Sequence, residues 1–324
     1  MDTEDRDLLM SEKNKKSKII VILGPTASGK SDIAVALALR LRSRQAKKFG
    51  IAGTEIISAD SRQVYKGLDI GTGKITKKEM KGVPHYLLDV VSFKRRFTAS
   101  DFKKLAEKKI EEIVKRGNLP IICGGTGFYI DALFGEKQIP EVPPNEKLRE
   151  KLEKYSTEKL FEILKKLDPE RSVAIDRYNP RRLVRAIEIC KALGKVPSLE
   201  SRSRNLESSR YEVLKLGIKV SNEELRERIN KRIEKWFKMG ILREVKNLHK
   251  KGLSWKRMGE IGLEYKLIAE YMSKAAFDTV QLKKKMSEKT WQYAKRQITW
   301  FKGDKNIVWI EPKISLVEKE VKKF

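Results

Sequence analysis

The apolar positions between Ile19 and Leu41 change period once. Ile19-Ile20-Val21-Ile22-Leu23 is an unbroken, mostly β-branched run, the pattern of a parallel strand buried on both faces. Ile33, Leu37 and Leu41 then recur at every fourth position, which predicts one apolar face of a helix. Between them lies Gly24-Pro25-Thr26-Ala27-Ser28-Gly29-Lys30-Ser31. Two glycines separated by four residues and followed by Lys and Ser form the phosphate-cradling P-loop pattern, in its required strand–loop–helix setting. Glycines let backbone amides converge, and the helix N-terminus adds partial positive charge where an anion would sit. Lys30 is placed to bind a phosphate oxygen, and the Ser31 hydroxyl to ligate Mg²⁺. A ligand-free glycine turn is the alternative. Strand, motif and helix together favour a site for a diphosphate or triphosphate.

The same patterning predicts the elements that follow. Glu55-Ile56-Ile57-Ser58-Ala59 reads as a second strand, stopping at Asp60. Ligands of open α/β sheets gather beyond the carboxyl ends of strands, so Asp60-Ser61-Arg62-Gln63 is placed toward the phosphate. Asp60 itself is open to two readings, a helix N-cap or a Walker-B type aspartate for Mg²⁺. Val64 to Lys74 is too rich in Gly and polar residues for a helix and reads as a loop lining the site. Gly82 to Val91 reads as another short buried strand, with His85 at its start as a structural group. Thr98-Ala99-Ser100-Asp101 has the form of a capping box, opening an amphipathic helix that stops near Gly117. Leu119 to Cys123 is the next strand, with Cys123 packed in it. It ends in Gly124-Gly125-Thr126-Gly127, where backbone can approach a ligand closely and Thr126 would supply a hydroxyl.

Prolines at 140, 143 and 144 break this texture. From Asn145 to about Leu206 only helical spacing is found. The expected organisation is a flexible tail over 1–17, an α/β core over 18–143 and 207–324, and a helical insertion over 144–206. Within the insertion, Arg181, Arg182 and Arg185 cluster at a helix start, as a solvated face or as phosphate contacts. Ser198 to Arg210 has the look of a mobile loop. Val213 to Ile218 returns to strand texture and is expected to rejoin the sheet. Ser221-Asn222-Glu223-Glu224 reads as a capping box for a long helix through Leu225, Ile229, Ile233 and Trp236. Trp291 and Lys295-Arg296-Gln297-Ile298-Thr299-Trp300 follow, before a last strand, Ile307 to Ile310.

Charge changes the picture most. Lys and Arg total 72 against 44 acids, a net of +28 in 324 residues. Such an excess attracts polyanions and makes nucleic acid a natural partner, although a lysine-rich composition alone could also produce it. Basic side chains interleaved with aromatics suit looped or single-stranded nucleic acid; aromatics at helical spacing also build cores. Two distant cysteines and two histidines fit no zinc or disulfide framework. No apolar run approaches membrane-spanning length, and a cytoplasmic monomer is expected.

With these blocks assembled, the chain resembles the tRNA dimethylallyltransferases, or tRNA isopentenyltransferases, of the IPP transferase family. The resemblance rests on the blocks at 24–31, 60–65 (Asp-Ser-Arg-Gln-Val-Tyr), 69–74 (Asp-Ile-Gly-Thr-Gly-Lys), 83–86, 124–127, 179–185 and 295–300. It implies an α/β fold, a P-loop NTPase-like parallel sheet flanked by helices, with an inserted all-helical domain. It implies that Gly24 to Ser31 hold the diphosphate of dimethylallyl diphosphate rather than ATP, with Mg²⁺ at Ser31. Asp60 corresponds to the general base acting on the N6 amine of adenine 37, beside the anticodon. Thr126 and Lys30 match further catalytic positions. Contacts to the tRNA anticodon stem-loop are implied for Asp60, Ser61, Arg62, Gln63, Thr126, Arg149, Arg181, Arg182, Leu183, Val184, Arg185, Lys295, Arg296 and Gln297. Two departures stand out. The usual Gly-Tyr-Arg/Lys block is replaced by Ile261-Gly262-Leu263-Glu264-Tyr265-Lys266. The zinc finger of eukaryotic members is absent, so the resemblance is to the bacterial type.

Three rivals remain. A P-loop kinase or ATPase explains 24–31 and Asp60 but gives the arginine cluster and the charge no purpose. A transferase acting on free AMP would not need a basic helical insertion. A non-catalytic RNA-binding protein would not need an intact Lys30, Ser31 and Asp60.

Overall fold

The computed structural model describes residues 16–42, 50–135, 140–197, 210–274 and 278–324. The expected N-terminal tail lies outside the described residues except at 16–17, and so does the loop expected over Ser198 to Arg210, except Arg210. The chain forms two compact units, Met1–Leu133 with Ser209–Phe324, and Phe134–Ser208.

The first unit opens with β1 (Ser17–Leu23), the P-loop and α1 (Lys30–Leu41), followed by β2 (Gly53–Ser58), α2 (Lys77–Met80) and β3 (His85–Tyr86). Then come α3 (Ala99–Lys115), β4 (Asn118–Gly124) and α4 (Gly127–Leu133). The Thr98–Asp101 capping box is complete, each side chain bonding the other's backbone amide. The strand expected over 82–91 shrinks to His85–Tyr86 and one isolated bridge, Tyr65 to Val91. Leu87 (φ 61) and Asp89 (φ 55) turn left-handed, which breaks the ladder that an extended chain would continue.

Among the described residues the second unit holds four helices, α5 (Glu146–Leu152), α6 (Thr157–Leu167), α7 (Pro169–Ala174) and α8 (Pro180–Leu193). Asn145, Ser156, Asp168 and Asn179 cap their N-termini through side-chain oxygens, as short helices with orphan amides require. Leu160, Leu164, Leu183 and Ile187 are buried at its centre. Leu183 and Val184, expected to face tRNA, are therefore core side chains, because the apolar stripe of α8 has to be buried. Glu188, 2% exposed, accepts from the Asn145 amide at 2.6 Å and from the Arg149 fork at 2.9 and 2.8 Å, and also from Arg185. Burial alone would raise the Glu188 carboxyl; the Arg149 fork, the Asn145 amide and Arg185 outweigh it and hold it below the ordinary range. Arg149 and Arg185, expected as tRNA contacts, thus neutralise a buried carboxylate, whose charge would be costly left alone.

The chain returns through β5 (Tyr211–Ile218), α9 (Asn222–Met239), α10 (Ile241–Lys250), α11 (Trp255–Ile261), α12 (Leu263–Lys274) and α13 (Thr279–Lys302), closing with β6 (Ile307–Ile310) and α14 (Ile314–Val321). At Ser221 only half the expected box forms. The Ser221 hydroxyl caps Glu224, but the Glu224 carboxylate pairs with Arg228 at 2.6 Å instead.

Among the described residues six strands form one sheet, all parallel, in the order β3-β2-β4-β1-β5-β6. This is the P-loop NTPase-like sheet expected, with β1 between β4 and β5. Adjacent parallel strands end together, so the turns after β1, β2 and β4 meet at one edge. Gly124 makes that meeting possible. A Cβ there would lie 2.1 Å from the Ala59 carbonyl oxygen, a distance no side chain can take.

Candidate functional site

The P-loop is held in shape by its own backbone. Gly29 (φ 86) and Ala27 (φ 63) are left-handed, and Gly29 caps α1 without a side chain. Lys30 donates to the Pro25 carbonyl at 3.2 Å. It lines a cavity together with Thr26, Ser31, Asp60, Gln63 and Arg232. Burial lowers the Lys30 pKa, and the Arg232 cation adds to the effect while Asp60 opposes it. Cys123, on the cavity wall, is pushed up to about 11 by burial and stays a neutral thiol.

Asp60 both caps and faces the cavity. Its Oδ1 accepts from the amides of Arg62 (2.8 Å) and Gln63 (3.3 Å), so one oxygen caps a turn over 61–64 and not the helix of the capping reading. Thr126 joins two of the site's turns. Its hydroxyl accepts from the Ser61 amide at 3.1 Å, tying the turn after β2 to the turn after β4, and neither Thr126 nor Ser61 lines the cavity. His85 does line it. Its Nδ1 lies 2.8 Å from the Val83 carbonyl, which can only accept, so Nδ1 carries the proton. Burial lowers its pKa, and the ring is neutral.

Helices far along the chain complete the site. Arg232 of α9 donates to the Thr26 hydroxyl at 3.0 Å, and Arg228 to the Ser28 carbonyl at 2.9 Å. Burial lowers the Arg232 pKa. Gln297 of α13 is buried, accepting from the Thr26 amide at 2.8 Å and donating to the Gly125 carbonyl at 2.8 Å. Arg62 pairs with Glu264 of α12 at 2.8 Å and lies 4.9 Å from the Tyr293 ring centroid. Burial alone would lower the Arg62 pKa; Glu264, Tyr293 and Asp60 reverse this and raise it. Both were expected to touch tRNA. Gln297 instead fastens two site loops together, and Arg62 is committed to a carboxylate. Arg181, Arg182, Lys295 and Arg296 are exposed.

The family model for IPP transferase matches residues 63–304. The chain belongs to the IPP transferase family. A tRNA dimethylallyltransferase of Anoxybacillus flavithermus is 37% identical over 297 residues, 91% of this chain and 90% of that one. The structure of a tRNA isopentenylpyrophosphate transferase from Bacillus halodurans matches with a TM-score of 0.66 at 32% identity, over 95% of this chain and 96% of that one. A eukaryotic dimethylallyltransferase acting on tRNA matches with a TM-score of 0.72 at 25% identity, over 92% of this chain and 74% of that one.

For an IPP transferase, the sequence reading left Arg228, Arg232, Glu264 and Tyr293 without a role. Spacing could show only that Arg228 and Arg232 share a helix face, four residues apart. Among the described residues no group of three or more His, Cys, Asp or Glu could hold a metal ion. No described helix is long and apolar enough to cross a membrane.

Proposed function

We propose that this chain transfers a dimethylallyl group from dimethylallyl diphosphate to the N6 amine of the adenine beside the anticodon in tRNA, releasing diphosphate. The observation that carries the reading is the convergence of Lys30, Thr26, Ser31 and Arg232 with Asp60 in one cavity. The names of its relatives supply the substrate class. Lys30, Arg232 and the P-loop amides would take the charge that grows on the diphosphate as its allylic C–O bond breaks. The N6–C bond forms as Asp60 accepts the amine proton, through the oxygen that does not cap the turn. An exocyclic amine is a weak nucleophile, so holding it in line and removing its proton both lower the barrier.

Mg²⁺ suits this donor set in part. The Ser31 hydroxyl is a hard oxygen donor on the cavity wall, and this ion commonly keeps several waters and takes substrate phosphate oxygens for the rest of its shell. Bound there, it would neutralise diphosphate charge. The target base must leave its stack to reach the cavity, and exposed Arg181, Arg182, Lys295 and Arg296 are the cations we assign to the RNA backbone. We place the activity in the cytoplasm, where the buried free thiols Cys123 and Cys190 stay reduced.

The test is a transfer assay with labelled dimethylallyl diphosphate, Mg²⁺ and either tRNA or free AMP. Label enters tRNA if the reading is right. Label in AMP alone reassigns the acceptor, and ATP hydrolysis without transfer to either replaces the reading with a P-loop ATPase. Binding of tRNA is expected to weaken steeply with salt, by close to one power of ten per tenfold salt for each phosphate contact. A filter-binding titration that is flat between low and physiological salt would remove the +28 charge as an RNA footprint.

A further inference from the structure

Glu244 of α10 reaches a loop that begins 175 residues earlier in the chain. One carboxylate oxygen accepts from the amides of Asp69 (3.0 Å) and Ile70 (2.7 Å). The other accepts from the amide of Gly71 (3.1 Å) and the Tyr265 hydroxyl (2.7 Å). Four donors on one carboxylate occupy its acceptor sites fully. The Tyr265 phenol is held well above its ordinary pKa, by burial first and by Glu244 next, so it remains a donor. The fit is close on the other side too. A Cβ on Gly71 would stand 2.8 Å from the Tyr265 ring.

What the pinned loop touches gives the contact its consequence. Gly71, Thr72 and Gly73 line the cavity. The carbonyls of Thr72 and Gly73 accept from Gln63 Nε2 at 3.4 and 3.2 Å, and the Gln63 amide is one of the two capped by Asp60. Gly73 also packs against Trp236 and Arg232, where an added Cβ would lie 3.6 and 3.8 Å from their side chains. The loop thus stands between the turn bearing Asp60 and the cation on Thr26.

We propose that Glu244 is a positioning residue for dimethylallyl transfer: by fixing the amides of residues 69–71 it sets the cavity wall that aligns the Asp60 turn and Arg232. This rests on the proposed function above. Glu244 touches no substrate in this scheme. Its effect runs through backbone, and a displacement of about 1 Å at a reacting centre costs roughly 10²-fold in rate.

The experiment compares the full-length protein with Glu244→Gln, which keeps the shape but turns one acceptor into a donor facing N–H groups. It measures kcat and KM for transfer to tRNA, the affinity for inorganic diphosphate by calorimetry, tRNA affinity by filter binding, and the melting temperature. The expected result is a kcat lower by roughly 10- to 100-fold and weaker diphosphate binding, with tRNA affinity within twofold and no loss of folded protein at the assay temperature. Gly71→Ala, which pushes the same loop from the Tyr265 side, should reproduce this pattern, and decides the matter if Glu244→Gln does not fold. Unchanged kcat and diphosphate affinity in a folded variant would overturn the proposal. So would a loss that tracks only the unfolded fraction, or one matched by an equal loss of tRNA affinity. If the unaltered protein transfers nothing to tRNA, the proposed function fails. Diphosphate affinity then still decides whether Glu244 sets the wall.

Discussion

Asp60→Ala is expected to lower dimethylallyl transfer by roughly 10²- to 10⁴-fold, the range that a positioned general base contributes, while tRNA affinity stays within twofold. Alanine, however, removes two things at once. One carboxylate oxygen caps the amides of Arg62 and Gln63, and losing such a cap costs about 1 kcal/mol. Asp60→Asn separates the roles. Its amide oxygen can still accept from both amides, but it cannot take a proton from the adenine amine. The asparagine variant should melt with the unaltered protein and be as slow as the alanine variant in single-turnover transfer. Near-full activity in Asp60→Asn would leave Asp60 as a turn residue and send the search for the base elsewhere.

Lys30→Ala should cost roughly 10²- to 10³-fold in kcat/KM for dimethylallyl diphosphate, as when one preorganised donor to a developing anion is removed. The pH dependence carries more information. Burial, with Arg232 nearby, lowers the Lys30 pKa in the free protein. Its ammonium is present at lower pH and is lost as pH rises through that lowered value. Diphosphate affinity should therefore begin to fall below the about 10.4 of a free lysine. Bound diphosphate favours the charged form, so binding on this alkaline limb takes up a proton. Calorimetry in buffers of different ionisation heat reads that uptake directly, and Lys30→Ala should abolish it. An alkaline limb that survives the substitution would assign the titration to another group.

What the sequence disclosed and what it withheld divide along physical lines. The P-loop, the Asp60 turn and Gly124–Gly127 were legible because each is contiguous and sits where a local pattern changes period. The parallel sheet followed from unbroken apolar runs, and its order brings those turns together. The partners of these turns were not legible. Arg232, Glu244, Glu264 and Gln297 arrive from 175 to 271 residues away, and a helical repeat names a face without naming what it meets. An arginine cluster reads the same whether it waits for phosphate or neutralises a buried carboxylate. Only Glu188, in place beside Arg149 and Arg185, tells the two apart. The 82–91 segment failed for another reason: its apolar content is that of a strand, but Leu87 and Asp89 take up turns that hydrophobicity does not encode.

The two bonds of Gln297 bear on how the protein is made. Thr26 and Gln297 are 271 residues apart, so a growing chain displays its phosphate loop long before the side chain that fastens it emerges. For the first part of that interval β1 also lacks β5, whose synthesis begins at residue 211. An unfinished chain therefore holds the motif without the assembled cavity, and competence arrives only when α13 clears the ribosome.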